Sequence, residues 1–95
     1  MVEVRQTETF RDWIAVLRDR SAAAIIRRRI DRVSGGNLGD VKFFDRIGEL
    51  RIDLGPGYRV YFVKRSNALI VLLCGGDKRS QRGDIELAKK LAANL

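Results

Sequence analysis

The ionisable residues of this chain limit the chemistry it can do. Histidine is absent, which removes the most common general base, the most common metal ligand and the Ser-His and Cys-His nucleophile arrangements. Cys74 is the only cysteine, so an internal disulfide and a thiolate metal cluster are both excluded, and its place in an apolar run predicts a core residue. Any reaction therefore depends on arginine, lysine, aspartate, glutamate and tyrosine, and we expect no metal or other cofactor.

The charge of the chain favours a polyanionic partner. Nineteen Lys and Arg against twelve Asp and Glu give a net charge of +7, and fourteen of the basic residues are arginine. The guanidinium group pairs bidentately with phosphates and carboxylates, so nucleic acid or an acidic protein is the natural partner. The alternative is that the charge serves only solubility.

The length and hydropathy of the chain predict one cytoplasmic domain over residues 1–95. A chain this short cannot be divided into two parts that each bury enough apolar surface to fold. No apolar run approaches the roughly 18 residues of a membrane span, and the N-terminus lacks a hydrophobic signal core. We therefore expect no contact with a membrane.

The N-terminal part of the chain predicts a strand and two helices. Residues 2–5 alternate between apolar and polar side chains, as in a short strand. Two helical apolar stripes follow, separated by a break near 19–21. The first has Thr7 or Thr9 as its N-cap and comprises Phe10, Trp13, Ile14 and Leu17. The second comprises Ala22, Ile25, Ile26, Ile30 and Val33. The glycines at 35 and 36 end the second helix, so the pair forms a helical hairpin. The charged face at residues 27, 28, 31 and 32 is either a solvated surface or a docking face for an acidic segment or RNA.

The rest of the chain predicts a sheet and a closing helix. A period of two begins at Glu49 and predicts a strand that ends at a turn over 55–57. A second strand follows over 58–65, and after a turn at 66–67 a continuously apolar run over 68–74 predicts a central strand. A polar segment then leads to a helix for which Asp84 is a plausible N-cap. The predicted class is α+β with the order β-α-α-β-β-β-α. We expect an antiparallel sheet with the helices on one face and a polar row on the other.

Two motifs carry a family resemblance. The run ELRIDLGPGYRVYF at 49–62 and the segment GGDKRSQ at 75–81, together with the order of elements, resemble the addiction-module killer (HigB-like) branch of the RelE/ParE toxins. This resemblance implies a RelE-like fold and a type II toxin that a cognate antitoxin, expected to be a helix-turn-helix protein, holds inactive. It also implies metal-independent cleavage of mRNA on the ribosome, and contact with operator DNA only through the antitoxin complex.

The resemblance assigns roles to individual residues. Arg59 matches a phosphate-contacting arginine of relatives, Arg51 matches a basic strand position, and Arg79 matches a catalytic arginine after the last strand. The resemblance places Lys42 and Lys78 on the RNA backbone. In the segment after the last strand, Arg82 is a further candidate for RNA binding. Tyr58 and Tyr61 either stack on a base or pack against neighbouring strands. Each basic side chain also has the alternative of being a solubilising surface charge.

The chain departs from the family pattern at the acid/base positions. Ile85 stands where some relatives have a tyrosine, and Asp53 stands where relatives carry a basic residue. Asp84 is the nearest substitute proton acceptor, with the role of helix N-cap as its alternative. A toxin that inhibits DNA gyrase without cleaving RNA, and a non-toxic relative that acts only in an antitoxin complex, remain as alternative functions.

Overall fold

The structure is a computed structural model that describes all 95 residues. It confirms the α+β class. The strands are β1 (Glu3–Gln6), β2 (Val41–Phe44), β3 (Ile47–Ile52), β4 (Tyr58–Ser66) and β5 (Leu69–Gly76), and the α-helices are α1 (Glu8–Ala15), α2 (Arg20–Ser34) and α3 (Gln81–Ala93). A 3₁₀ turn, Lys78–Ser80, leads into α3.

The sheet is mixed and has five strands in the order β1-β5-β4-β3-β2. The prediction of a purely antiparallel sheet is wrong, because β1 pairs with β5 in parallel, with Val4 beside Ile70. The helical hairpin carries the chain across the sheet from the β1 edge to the β2 edge. Side-chain periodicity reports which face a residue occupies and does not report strand direction. The prediction also missed β2, which at four residues is too short to show a clear alternation.

The face of the sheet that α1 and α2 cover, the hairpin face, holds the larger core. Phe10 and Ile14 of α1 and Ile26 of α2 are buried against Leu50 and Phe62 of the sheet. The predicted cap of α1 is confirmed, since the Thr7 hydroxyl accepts a hydrogen bond from the Phe10 amide at 3.0 Å. The first turn of α2 has an equivalent cap from Asp19.

The opposite face, the α3 face, holds a smaller core. Ile47, Val63, Leu73 and Ala88 are buried there under α3. The expectation that all helices lie on one face is therefore wrong, and α3 covers the surface that was predicted to stay open. Strand β5 is interior and buried on both faces, and Cys74 is a buried core residue as predicted. None of the α-helices combines the length and apolar character that crossing a bilayer requires.

Arg29 ties α2 to the end of the sheet. Its side chain is buried, and it donates hydrogen bonds to the carbonyls of Arg51 at 2.6 Å, Leu38 at 2.7 Å and Asp40 at 2.8 Å. Burial, followed by repulsion from Arg32, lowers the pKa of Arg29 below its ordinary value. This arginine fixes the chain on both sides of β2, and its role in the fold was not predicted.

Candidate functional site

A polar surface occupies the part of the α3 face that the helix leaves uncovered. The strand register aligns its side chains, because Lys42 lies opposite Glu49, Glu49 opposite Tyr61, and Arg51 opposite Arg59. Directly paired residues of antiparallel strands point to the same face of a sheet. We call the basic side chains that this register brings together, Lys42, Arg51 and Arg59, the polar row; the side chains of Glu49 and Tyr61 lie buried beneath it.

Arg51 and Arg59 form a directly opposed pair of like charges with a carboxylate beside them. Arg51 Nε donates to Glu49 Oε1 at 3.1 Å, and Arg59 Nε lies 3.9 Å from Glu49 Oε2. Like charges opposite one another destabilise a strand pair, so a shared counter-ion offsets the cost of this arrangement. The Glu49 side chain is completely buried, whereas the Arg51 side chain is 36% exposed and the Arg59 side chain 13% exposed.

The turn between β3 and β4 places Arg59. Gly55 and Gly57 have φ angles of 54° and 80°, in the left-handed region that glycine adopts without a side-chain clash. Arg59 Nη1 donates to the Gly57 carbonyl at 2.9 Å. A Cβ atom at Gly57 would lie 3.2 Å from that same nitrogen, so glycine also leaves room for the guanidinium beside the turn.

This turn borders an open cavity of about 410 Å³. Arg51, Arg59 and Lys78 line it, together with two acidic residues, Asp40 and Asp53. Three cations converging on one cavity can bind a phosphate group and can stabilise the charge that develops when phosphorus is attacked. The two carboxylates limit the net positive charge of the cavity.

The start of α3 brings an acidic residue close to the polar row. The helix begins at Gln81, so Asp84 lies in its first turn and is not the N-cap, which corrects one of its two predicted roles. Asp84 Oδ2 accepts a hydrogen bond from the Ser80 hydroxyl at 2.5 Å. It also sits against Gly76, where a Cβ atom would collide with it, and Gly76 is the strand partner of Arg59. A partly exposed carboxylate therefore lies beside the strand partner of Arg59, although it does not itself line the cavity.

Asp77 caps the 3₁₀ turn that leads into α3. Its carboxylate accepts from the Arg79 amide at 2.8 Å and from the Ser80 amide at 3.3 Å. Hydrogen bonds from Arg79 hold the pKa of Asp77 below its ordinary value. The segment after β5 is thus a capped turn that sets the direction of α3.

Two buried groups beneath the polar row are held neutral. Burial, aided by the charges of Glu49 and Asp84, raises the pKa of Tyr61, and the Tyr61 hydroxyl is buried with no hydrogen-bond partner of acceptable geometry. Burial also raises the pKa of Cys74 to about 12. Neither group can serve as a nucleophile or base near neutral pH, and Tyr61 is too deeply buried to stack on a base.

The remaining predicted site residues lie at the margin of the polar row or away from it. Lys42 is exposed on the edge strand β2, with its ammonium group 4.9 Å from the centre of the Phe44 ring. Arg79, whose side chain is 84% exposed, pairs with Asp77 at 3.2 Å and does not line the cavity. Arg82 is exposed on α3.

Tyr58 does not fit its predicted contact with RNA. It is buried on the hairpin face, where its ring meets Trp13 edge-on at 6.4 Å between centroids. Its neighbour Arg59 points to the opposite face, because side chains alternate along a strand. Tyr58 is therefore a core residue, which was the other of the two interpretations.

Sequence reasoning missed Glu49 and Gln81 as parts of the site. Glu49 is two residues from Arg51 in a strand, so the period of two already placed both on one face. The Gln81 side-chain amide donates to Glu49 Oε2 at 2.8 Å across 32 residues of sequence. No local pattern could have indicated that contact. Ile85, which stands where some relatives have a tyrosine, packs against the smaller core.

The structure offers no acidic or sulfur-rich cluster for a metal. Nowhere do three or more Asp, Glu or Cys side chains come together in a group that could hold an ion. The basic cavity is instead suited to an anionic group.

One relative covers this whole site. An uncharacterized protein of Haemophilus influenzae is 47% identical over 95 residues, which is 99% of this chain and 96% of that protein. The chain belongs to that protein's family. The match spans almost the entire chain and so includes the segments that form every strand of the sheet. No family model matches the chain, and no solved structure matches it.

Proposed function

We propose that this chain is a RelE-like toxin of a type II toxin-antitoxin system and cleaves mRNA on the ribosome without a metal. The observation that carries the proposal is the pair formed by Arg51 and Arg59, opposed on neighbouring strands and lining one cavity with Lys78. The motifs at 49–62 and 75–81, which resemble those of the addiction-module killer proteins, support the same assignment.

The proposed reaction is an attack by the RNA on itself. The 2′-hydroxyl oxygen bonds to the adjacent phosphorus and the bond from phosphorus to the 5′ oxygen breaks, which leaves a 2′,3′-cyclic phosphate and a 5′-hydroxyl. Asp84 takes the proton of the 2′-hydroxyl, and the leaving oxygen takes a proton from solvent. Arg59 and Arg51 stabilise the charge on the phosphoryl oxygens, and Lys78 holds the neighbouring backbone.

The proposal includes the cellular setting of such a toxin. The protein acts in the cytoplasm and is held inactive by a cognate antitoxin, a helix-turn-helix protein. It contacts operator DNA only as part of that complex. The exposed basic residues of α2 and the net charge of +7 suit both an acidic antitoxin segment and ribosomal RNA.

The test is to map mRNA ends after brief expression of the wild type and of Arg59→Ala. We expect the wild type to stop growth and to cut transcripts at discrete codon positions. The variant should keep its fold and cut at least about 100-fold more slowly, the usual loss when one charge-stabilising donor is removed. Arg18→Ala is the matched control, because it removes an exposed arginine from the loop between α1 and α2.

Each of the other outcomes of this experiment has a different interpretation. Normal cleavage by Arg59→Ala would show that the site assignment is wrong. Intact transcripts together with inhibited supercoiling by the purified protein would identify a gyrase inhibitor. Expression of the wild type without any effect on growth would indicate a non-toxic relative that acts only with its antitoxin.

A further inference from the structure

Glu49 is the one acidic side chain of this chain that is completely buried. Carboxylates are rarely buried to this extent unless they are paired, because removing the charge from water is strongly unfavourable. The pairing here involves Arg51 and Arg59, two of the three cations of the cavity. A carboxylate at this position therefore has a specific role beside them.

The two oxygens of Glu49 contact different elements. Oε1 accepts from Arg51 Nε on the same strand, at 3.1 Å. Oε2 accepts from the Gln81 amide at the first residue of α3, at 2.8 Å, and lies 3.9 Å from Arg59 Nε on β4. One carboxylate thus joins β3, β4 and the start of α3 immediately beneath the polar row.

We propose that Glu49 is a positioning residue, which keeps the opposed guanidinium groups of Arg51 and Arg59 together and aligned toward the cavity. The inference rests on the proposed function of that cavity as the site of RNA cleavage. Glu49 cannot touch the substrate, since its side chain is fully covered. It acts through the arginines, and Gln81 fixes its second oxygen.

The charge of Glu49 gives this role a signature that lost folding would not produce. The carboxylate lies next to cations that bind a phosphate, so by Coulomb's law it weakens the attraction of the cavity for an anion. Neutralising it should leave RNA binding unchanged or make it tighter. Cleavage should nevertheless slow, because the arginines lose their alignment with the phosphoryl oxygens.

The test is Glu49→Gln, which keeps the shape of the side chain and removes its charge. Single-turnover cleavage of mRNA on ribosomes should slow by roughly 10- to 100-fold, the loss expected when reacting groups are misplaced by about 1 Å. Binding of a non-cleavable 2′-O-methyl RNA should be as tight as in the wild type or tighter. Glu86→Gln is the matched control, an exposed glutamate of α3 with the same change of charge.

A double-variant cycle tests whether Glu49 acts through Arg59. In an Arg59→Lys background, which keeps the charge and loses the guanidinium, Glu49→Gln should slow cleavage by clearly less than it does alone. An equal slowing in both backgrounds would overturn the proposal, as would weaker RNA binding in step with the rate.

Failure of this inference differs from failure of the proposed function. If the wild type cuts no mRNA, the proposed function is wrong, and the inference is withdrawn with it. If the wild type cuts and Glu49→Gln cuts equally fast, only the positioning role is wrong. If Glu49→Gln does not fold by circular dichroism, Gln81→Ala decides: slower cleavage with undiminished RNA binding supports the role, and unchanged cleavage overturns it.

Discussion

At the scale of single residues, hydrogen bonding separates the arginines into two kinds. Arg29 directs its guanidinium inward and gives three hydrogen bonds to backbone carbonyls. Arg59 gives one hydrogen bond, to the Gly57 carbonyl, and lines a cavity. An arginine whose N–H groups donate to backbone carbonyls stabilises the fold. An arginine with unpaired N–H groups at a cavity is available to a ligand.

Replacing Arg29 should therefore destabilise the fold. Arg29→Ala leaves three carbonyls without their donors, and we expect the free energy of unfolding to fall by about 3 kcal/mol. Urea unfolding followed by circular dichroism measures the change. Arg28→Ala, at the exposed neighbouring position, should change the stability by less than about 0.5 kcal/mol. Equal effects of the two variants would contradict the structural role of Arg29.

At the scale of elements, the start of α3 is where the fold and the candidate site meet. Asp77 caps the 3₁₀ turn, Gln81 contacts Glu49, and Asp84 sits against Gly76. A displacement of this one helix end would move both the proposed proton acceptor and the contact that holds Glu49. The cap should therefore influence the stability of the fold and, through α3, the geometry of the site.

The Asp77 cap predicts a dependence on pH. Its pKa is lowered in the fold, so its carboxylate contributes stability above the ordinary value of 3.8, and that contribution is lost as the pH falls through the lowered value. At neutral pH, Asp77→Ala should lower the free energy of unfolding by about 1 kcal/mol, whereas Asp77→Asn, which can still cap, should lose less. Urea unfolding at neutral pH and well below pH 3.8 should show the advantage of the wild type over Asp77→Ala shrinking at the acidic pH to about that of Asp77→Asn, because a protonated carboxyl still accepts through one oxygen. An advantage over Asp77→Ala that is undiminished at the acidic pH would contradict the assignment.

At the scale of the whole molecule, the basic charge is spread over the surface while the cavity is local. A net charge of +7 attracts polyanions over a long range, whereas the opposed arginine pair lies at one place on the α3 face. Long-range attraction and local contact should respond differently to salt and to substitution.

The salt dependence of RNA binding can separate long-range attraction from local contact with the arginine pair. For single-stranded RNA, the slope of log K against log salt changes by about 0.7 for each phosphate contact. The double variant Arg51→Ala/Arg59→Ala should therefore have a slope shallower by about 1.4, if each arginine contacts one phosphate. Filter binding of a 2′-O-methyl RNA over a range of salt concentrations measures it, with Arg18→Ala as the control. An unchanged slope in the double variant would show that RNA binds elsewhere.

Local patterns were sufficient to predict most of the elements and several residues of the site. The apolar stripes predicted α1 and α2, and the period of two placed Arg51 on a polar face of β3. These patterns could not predict the parallel pairing of β1 with β5, or that α3 packs on the face of the sheet opposite to the helical hairpin. Both depend on how distant segments meet, and a side-chain period carries no record of that.

The absence of histidine and the net charge of +7 follow from the sequence alone, because they depend only on residue types, and the candidate arginines were chosen by the resemblance of two sequence motifs to those of a known family. Only the tertiary structure decided which cations share a cavity, that Tyr58 is a core residue, and that Asp84 lies in the first turn of α3. It also decided that Glu49 is buried between Arg51, Arg59 and Gln81. The physical reason is that burial and ion pairing depend on neighbours from other strands and helices, which only the packing of the complete sheet brings within a few ångströms of one another.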